Sequence, residues 1–381
     1  SLHLQLSMVA AEMGSDNDSR DGGCSISETP RPLVLGLQPA ALVDHVARVD
    51  WSFLEQISGD RGGSQPVVIE ELNCILRQVE SHIHAMPGDS YRLKTLAGGS
   101  VANTIRGLSA GFGIHSGIIG AYGDDDEGKF FTSNMKFNGV NLSRMRLKRG
   151  PTGQCVCLVD ESGNRTMRPC LSSAVKIQPN DLVKDDFKGA KWLMLRYAPF
   201  NLEVIQAAIS IAKEEGLSIS MDLASFEMVR NFRLPLLKLL ESGSIDLCIA
   251  NEDEAAELLV QDGEGRKDPE AALCFLSKYC KWAIVTLSAD GCIAKHEGEI
   301  ARVAAIGGSK AVDTTGAGDL FACGFLYGLL KELPLKECCQ LGACCGGTVV
   351  RSLGAEISSE NWQWAYKQMA ARRLPLPMLR N

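Results

Sequence analysis

Four apolar stretches in the second half of the chain, residues 192–195 (Trp-Leu-Met-Leu), 219–222 (Ile-Ser-Met-Asp), 247–250 (Leu-Cys-Ile-Ala) and 283–287 (Ala-Ile-Val-Thr-Leu), alternate with helical patterns, notably 202–215. Runs that short and that apolar fit strands buried on both faces. Strands joined through helices run parallel, because a crossover helix returns the chain to the same end of the sheet. Residues 33–37 (Leu-Val-Leu-Gly-Leu) are a further strand of this kind. The pattern predicts an α/β fold, a mostly parallel central sheet flanked by helices. In open sheets of this sort ligands gather beyond the C-terminal ends of the strands, so chemistry is expected in the residues that follow those ends.

Residues 311–326 combine two residue types that phosphoryl transfer needs side by side. Gly316, Ala317 and Gly318 have almost no side chain, so an anion can approach their backbone N–H groups, and the apolar run after them predicts a helix. A helix start offers unpaired donors and the positive end of a dipole. Asp319 falls in the first turn of that helix, where a carboxylate can take a proton from an attacking hydroxyl. A Gly-rich turn with an Asp at a helix start is also ordinary capping structure, and spacing alone does not separate the two. A second small-residue turn, Gly98-Gly99, opens another helical pattern with Asn103 one turn in. Asp44 follows the 33–37 strand, Asn251 and Glu254 follow the 247–250 strand, and Thr286 and Gly291 flank the turn after 283–287. Acidic residues at a helix start are otherwise normal dipole partners. No Lys-Ser/Thr follows the glycines and no G-x-G-x-x-G fits a dinucleotide fold, which argues against Walker A chemistry and nicotinamide enzymes.

The string Asp-Thr-Thr-Gly-Ala-Gly-Asp at 313–319, with Gly324-Phe325-Leu326 after it, resembles the C-terminal signature of the ribokinase/PfkB superfamily of sugar and nucleoside kinases. The resemblance extends from about residue 32 to the C-terminal region. It implies one ribokinase-like kinase domain, 32–375, with a small β-sheet lid from segments near 45–54 and 145–170, the latter a hairpin turning at 161–164. It also implies Asp319 as catalytic base, with the backbone of Gly316, Ala317 and Gly318 as anion hole. Asp44, Gly98, Gly99 and Asn103 would hold the acceptor, and Asn251 and Glu254 would orient magnesium. Thr286, Gly291, Thr315 and Gly342 would meet the nucleotide, although the glycines around Gly342 suit tight helix packing equally well. Ser288 stands where the family usually has Gly, and Ala40 where it usually has Asn four residues before the acceptor-binding Asp. The motif layout resembles the adenosine-kinase branch most. The implied activity is magnesium-dependent transfer of the ATP γ-phosphate to the 5′-hydroxyl of a ribonucleoside. A free sugar such as fructose or ribose, or a catalytically silent scaffold role, are the alternatives.

A formal charge of −7 without a substantial Lys/Arg cluster argues against nucleic-acid or anionic-membrane partners, and no apolar stretch reaches the ~18–20 residues of a membrane span. The expected partner is a small-molecule nucleoside or sugar, and the expected state a monomer or homodimer. Fourteen cysteines lie scattered in apolar segments, as small hydrophobes do in a reducing, cytoplasmic setting. The Cys338-Cys339 and Cys344-Cys345 pairs lack C-x-x-C spacing and a neighbouring His, which argues against zinc there. Residues 1–31 are polar and aperiodic and are expected to form a disordered tail.

Overall fold

The computed structural model describes residues 31–59, 61, 63–85, 92–260, 268–307 and 311–377. The expected tail, but for Arg31, lies outside them. Among the described residues thirteen strands are formed: β1 Val34–Gln38, β2 Leu42–Arg48, β3 Lys94–Gly98, β4 Ser116–Gly123, β5 Met145–Lys148, β6 Gly153–Val159, β7 Arg165–Cys170, β8 Trp192–Arg196, β9 Ser218–Asp222, β10 Leu247–Asn251, β11 Trp282–Thr286, β12 Cys292–His296 and β13 Glu299–Val303.

Nine of them make one sheet in the order β13-β12-β11-β10-β9-β8-β1-β4-β5. Pairing is parallel from β11 through β5, and β12 and β13 add an antiparallel edge. Side chains alternate between two cores: Val34 and Met194 point to one face, Leu35, Leu37, Leu193 and Leu195 to the other. Burial on both faces is why these strands read as continuous apolar runs. The first core lies under the helices Ser100–Phe112, Ala317–Leu330, Leu335–Val349 and Ser359–Ala371. Gly36, mid-strand in β1, is there for space: a Cβ would lie 2.5 Å from Val101 and 2.6 Å from Ile105 of the Ser100–Phe112 helix.

The second sheet has the order β3-β2-β6-β7, and β6 and β7 form the expected hairpin. Asp160 Oδ1 accepts from the N–H groups of Ser162 and Asn164 at 2.8 and 2.9 Å and so shapes the turn. The lid boundaries differ from those expected. Residues 42–48 are its strand, Trp51–Leu54 is a short helix capped by Asp50, Met145–Lys148 pairs with β4 in the large sheet, and β3 joins the small one. Asp44 likewise lies within β2 rather than just past the end of β1. These assignments depend on non-local pairing, which local periodicity does not encode. No helix of the described residues is long and apolar enough to cross a membrane.

The Ala317–Leu330 and Leu335–Val349 helices approach each other through glycine. A Cβ on Gly324 would lie 2.3 Å from Leu341 O, a backbone atom of the facing helix, and one on Gly342 would lie 2.9 Å from the Phe321 ring. Because backbone cannot swing aside as a flexible side chain can, Gly324→Ala is expected to lower unfolding free energy by about 1–3 kcal/mol. Urea denaturation checks this; an unchanged midpoint would mean the helices are not in that contact.

Candidate active site

The Ala317–Leu330 helix begins at a glycine no other residue can replace. Gly316 is the N-cap in the left-handed region (φ 78°), and a Cβ there would lie 2.5 Å from that of Ala355. A Cβ on Gly318 would meet no described atom within 4 Å, so that part of the turn is open. Asp313, fully buried, fixes the approach: Oδ1 accepts from Thr315 N at 2.8 Å and Oδ2 from Gly354 N at 2.7 Å. Thr314 donates both N–H and hydroxyl to Gly163 O at 3.1 Å, which seats the hairpin turn on the loop. Ala317 N–H already has an acceptor, Thr314 O at 3.2 Å, while the Thr315 hydroxyl is buried without a partner among the described residues.

Asp319, in the first helical turn, faces the Ser100–Phe112 helix. Its Oδ1 accepts from Ser100 Oγ at 2.5 Å and its Oδ2 from Asn103 Nδ2 at 2.9 Å, and its carbonyl accepts from Thr104 Oγ1 at 2.8 Å. Arg106 sets which way the Asn103 amide points. Its Nη2 donates to Asn103 Oδ1 at 2.9 Å, leaving Nδ2 for Asp319, and Nη1 donates to Ala97 O at 2.6 Å. Burial pulls this guanidinium below its usual pKa, opposed by the charges of Glu356, Asp44 and Asp319. Asn103 is thus spent on Asp319 and Arg106; in this arrangement it positions a carboxylate rather than facing open space.

Gly98 and Gly99 allow two other side chains in. A Cβ on Gly98 would lie 2.2 Å from the Asp44 carboxyl, and one on Gly99 2.4 Å from the Gln38 amide. Gln38 caps the Ser100–Phe112 helix from a neighbouring strand, accepting from Ala102 N at 2.9 Å while donating to Gly98 O at 3.2 Å. Asp44 is 5% exposed, and its Oδ1 has no hydrogen-bond partner among the described residues. Burial pushes its pKa up to about 7; Arg106 opposes the shift, and Asp319 and Asp313 add to it.

Around the corner, the C-terminal ends of β8 to β11 carry Arg196, Asp222, Asn251 and Thr286. Asn251 and Glu254 form a capping box: Asn251 Oδ1 accepts from the N–H groups of Asp253 and Glu254, and Glu254 Oε2 from Asn251 N at 2.8 Å. Glu254 is nonetheless buried, and burial together with the Asp222 charge pushes its pKa up to about 8, with Arg196 and Arg165 opposing. Asp222 is raised as well, by burial first and by Asp319, with Arg196 opposing. Asp222 also accepts from Ala224 N at 2.8 Å, and Arg196 donates to Ala224 O, holding Ala224 at φ 77°. Such strained backbone concentrates at functional sites.

The structure therefore brings Asp44, Gly98, Gly99, Asn103, Gly316 and Asp319 together. It places Asn251, Glu254 and Thr286 along the adjoining strand ends, where Asn251 and Thr286 pair directly. Gly291 turns β11 into β12 with its backbone against Val303 O, and Gly342 is buried under Phe321, so close packing accounts for both glycines. Sequence reasoning missed Gln38, Ser100, Arg106, Arg165, Arg196, Asp222 and Asp313 as parts of the site. Charged residues ending or interrupting apolar patterns, Asp222 after Ile-Ser-Met and Arg106 inside a buried helix, were the available signal.

A nine-stranded α/β sheet with a small β-sheet beside it and an acid at a glycine-opened helix start defines a ribokinase-like phosphotransferase. The family model for pfkB family carbohydrate kinases matches residues 67–362, and the chain belongs to that family. Among solved structures it is similar to a probable sugar kinase protein from Rhizobium etli CFN 42 (29% identity, TM-score 0.78, 89% of this chain and 99% of that one). It is also similar to the adenosine kinase from Sinorhizobium meliloti (30%, TM-score 0.77, 88% and 98%). A curated relative, 5-dehydro-2-deoxygluconokinase of Geobacillus kaustophilus (strain HTA426), is 25% identical over 282 residues, 71% of this chain and 84% of that protein.

Asp44 yields a pH prediction. Its pKa is higher folded than unfolded, so the native state binds the extra proton, and stability falls as pH rises from the ordinary value of 3.8 through about 7. Asn at this position cannot ionise. In urea unfolding of the ligand-free protein, Asp44→Asn is therefore expected to gain stability relative to wild type between about pH 5 and pH 8. A difference that stays constant over that range counts against a buried, unpaired carboxyl.

Proposed function

We propose that this kinase transfers the γ-phosphate of ATP to the 5′-hydroxyl of a ribonucleoside, with Asp319 as the base. The observation that carries the reading is the juxtaposition of Asp319, at the opening of the Ala317–Leu330 helix, with Asp44, whose unpartnered carboxyl oxygen is buried a short way off across Gly98. Asp44 accepts a hydrogen bond from an acceptor hydroxyl and so fixes the ring. The hydroxyl that reacts takes the place of Ser100 or Asn103 on Asp319 and gives up its proton there as it attacks. The backbone from Gly316 to Gly318, open at Gly318, and the helix dipole stabilise the charge on the transferring phosphoryl group. Arg165 and Arg196 stand beside the same acidic edge and balance phosphate charge.

Glu254 and Asp222, two carboxyls raised by burial, with the Asp222 charge raising Glu254 further, make an edge that favours a cation, which fits magnesium. Asn251 and Glu254 would hold it together with phosphate oxygens, and when bound it neutralises charge on the nucleotide. Thr286, Thr315, Gly291 and Gly342 border the nucleotide side in this reading. The hairpin turn seated on Thr314 closes the site against water, which would otherwise compete as acceptor.

The choice of a nucleoside rests on what packs beside Asp44. Val46, Leu96 and Val159, with Leu42, Met167 and Leu353, form an apolar cluster there. Such a wall suits a base, whereas a free sugar needs more hydroxyl-directed groups. Likeness to the Sinorhizobium adenosine kinase agrees with this, and likeness to the Geobacillus 5-dehydro-2-deoxygluconokinase favours a free sugar as the second reading.

Asp319→Asn is expected to lower kcat by roughly 10² to 10⁴ with ATP binding retained, as loss of a general base does. A fall of less than about threefold when chemistry limits the rate would remove Asp319 from that role. With ATP as donor, the best ribonucleoside should exceed fructose, ribose and 5-dehydro-2-deoxygluconate in kcat/KM by at least about tenfold. The reverse order assigns the site to a sugar.

A further inference from the structure

Three ligand-bearing side chains converge on one face of the small sheet. Pairing sets Asp44 opposite Cys155 and Val46 opposite Cys157, and residues two apart on a strand share a face, so Asp44, Cys155 and Cys157 lie side by side. One ligand atom from each lies within 4.8 Å of the others, and all three residues are buried. That face packs toward the catalytic loop. Gly354, whose N–H binds Asp313, comes so close that a Cβ on it would lie 2.2 Å from Leu96 and 3.7 Å from Val46.

The spacing fits a tetrahedral ion. The two Sγ atoms are 3.7 Å apart, and metal–sulfur bonds of about 2.3 Å at tetrahedral angles put two sulfurs about 3.7–3.8 Å apart. A disulfide fits less well, because residues i and i+2 of one strand have Cα atoms about 6.6–6.8 Å apart, the far limit for such a bond. The third ligand is at hand: Asp44, 95% buried, has an oxygen with no partner among the described residues. Thiolates select zinc-like ions over magnesium, so a kinase working in millimolar magnesium would not fill these positions with the nucleotide's metal.

We propose that Asp44, Cys155 and Cys157 form a three-ligand site for a zinc-type divalent ion, with the fourth position open toward the acceptor, and that its occupation excludes the acceptor from Asp44. Binding exchanges the two thiol protons, and the Asp44 proton where its carboxyl carries one, for bonds to the metal and releases them to solvent; no electron moves. The ion and the acceptor then compete for one carboxylate, which makes the metal an inhibitor. Only the competition rests on the reading of Asp44 as acceptor ligand; the metal site stands on its own geometry.

The test is a titration of the reduced, nucleotide-free full chain with Co²⁺, a spectroscopic stand-in for Zn²⁺. Expected are the strong visible bands of a tetrahedral site and a thiolate-to-cobalt charge-transfer band, saturating at about one ion per chain and displaced by Zn²⁺. Cys155→Ser with Cys157→Ser should weaken binding at least about 100-fold, and Cys157→Ala alone should remove part of the charge-transfer band. Cys74→Ser with Cys274→Ser, at the exposed thiols, should change neither signal. Circular dichroism melts of each variant establish that loss of signal is not loss of fold. Absence of the bands in wild type, or their persistence in the folded double variant, overturns the site. Zn²⁺ inhibition should be competitive with the acceptor and not with ATP. Metal that binds through both thiols without that competition overturns the exclusion and, with it, the placement of the acceptor at Asp44.

Discussion

The guanidinium of Arg106 is the interaction on which the rest of the site depends. Buried within the first core, it donates to Ala97 O at the end of β3, to Asn103 on its own helix and to Ala355 O beyond the Leu335–Val349 helix. One cation thereby joins the small sheet, the helix that opens at Gly99, and the segment that crowds Gly316. Its charge also lies among buried Asp44 and half-buried Asp319 and Glu356, whose mutual repulsion would otherwise be costly. Because Arg106 fixes the Asn103 amide, it fixes the donor that Asp319 receives. A planar, multiply donating group is suited to this; a lysine has neither the reach to several carbonyls nor the fixed geometry.

A second constraint is the contact between the hairpin turn and the helix-opening loop. Gly163 O accepts twice from Thr314, and Asp313 holds Thr315 and Gly354 from inside. The small sheet therefore meets the loop whose residues precede the proposed anion site, so hairpin position and loop geometry are coupled through hydrogen bonds to Gly163 O. Asp160, which shapes the hairpin turn, reaches the loop through this contact.

The acidic edge holds groups at a cost to the fold. Asp44, Glu254 and Asp222 all have raised pKa values, with burial the largest cause in each. A stable core would hold apolar residues there. Carboxyls kept in such places attract hydroxyls or cations, because a ligand supplies the partner that the chain does not. The strained Ala224 turn, pinned by Arg196 and Asp222, belongs to the same edge.

Much of this was legible in the chain. Apolar runs of four or five residues between helical patterns determined an α/β sheet, since such runs are buried on both faces only when helices cover both sides. The Gly316-Ala317-Gly318-Asp319 string determined a small-residue helix start with a carboxylate in its first turn, because the apolar run after it is helical. Tertiary structure alone decided what those residues face. Which strands joined the small sheet, that Asp44 sits within β2, that Asn103 is committed to Asp319 and Arg106, and that Cys155 and Cys157 flank Asp44 all follow from pairing between segments far apart in sequence. Hydrogen-bond register and side-chain contact across such distances are set by packing, and a local pattern carries no record of them.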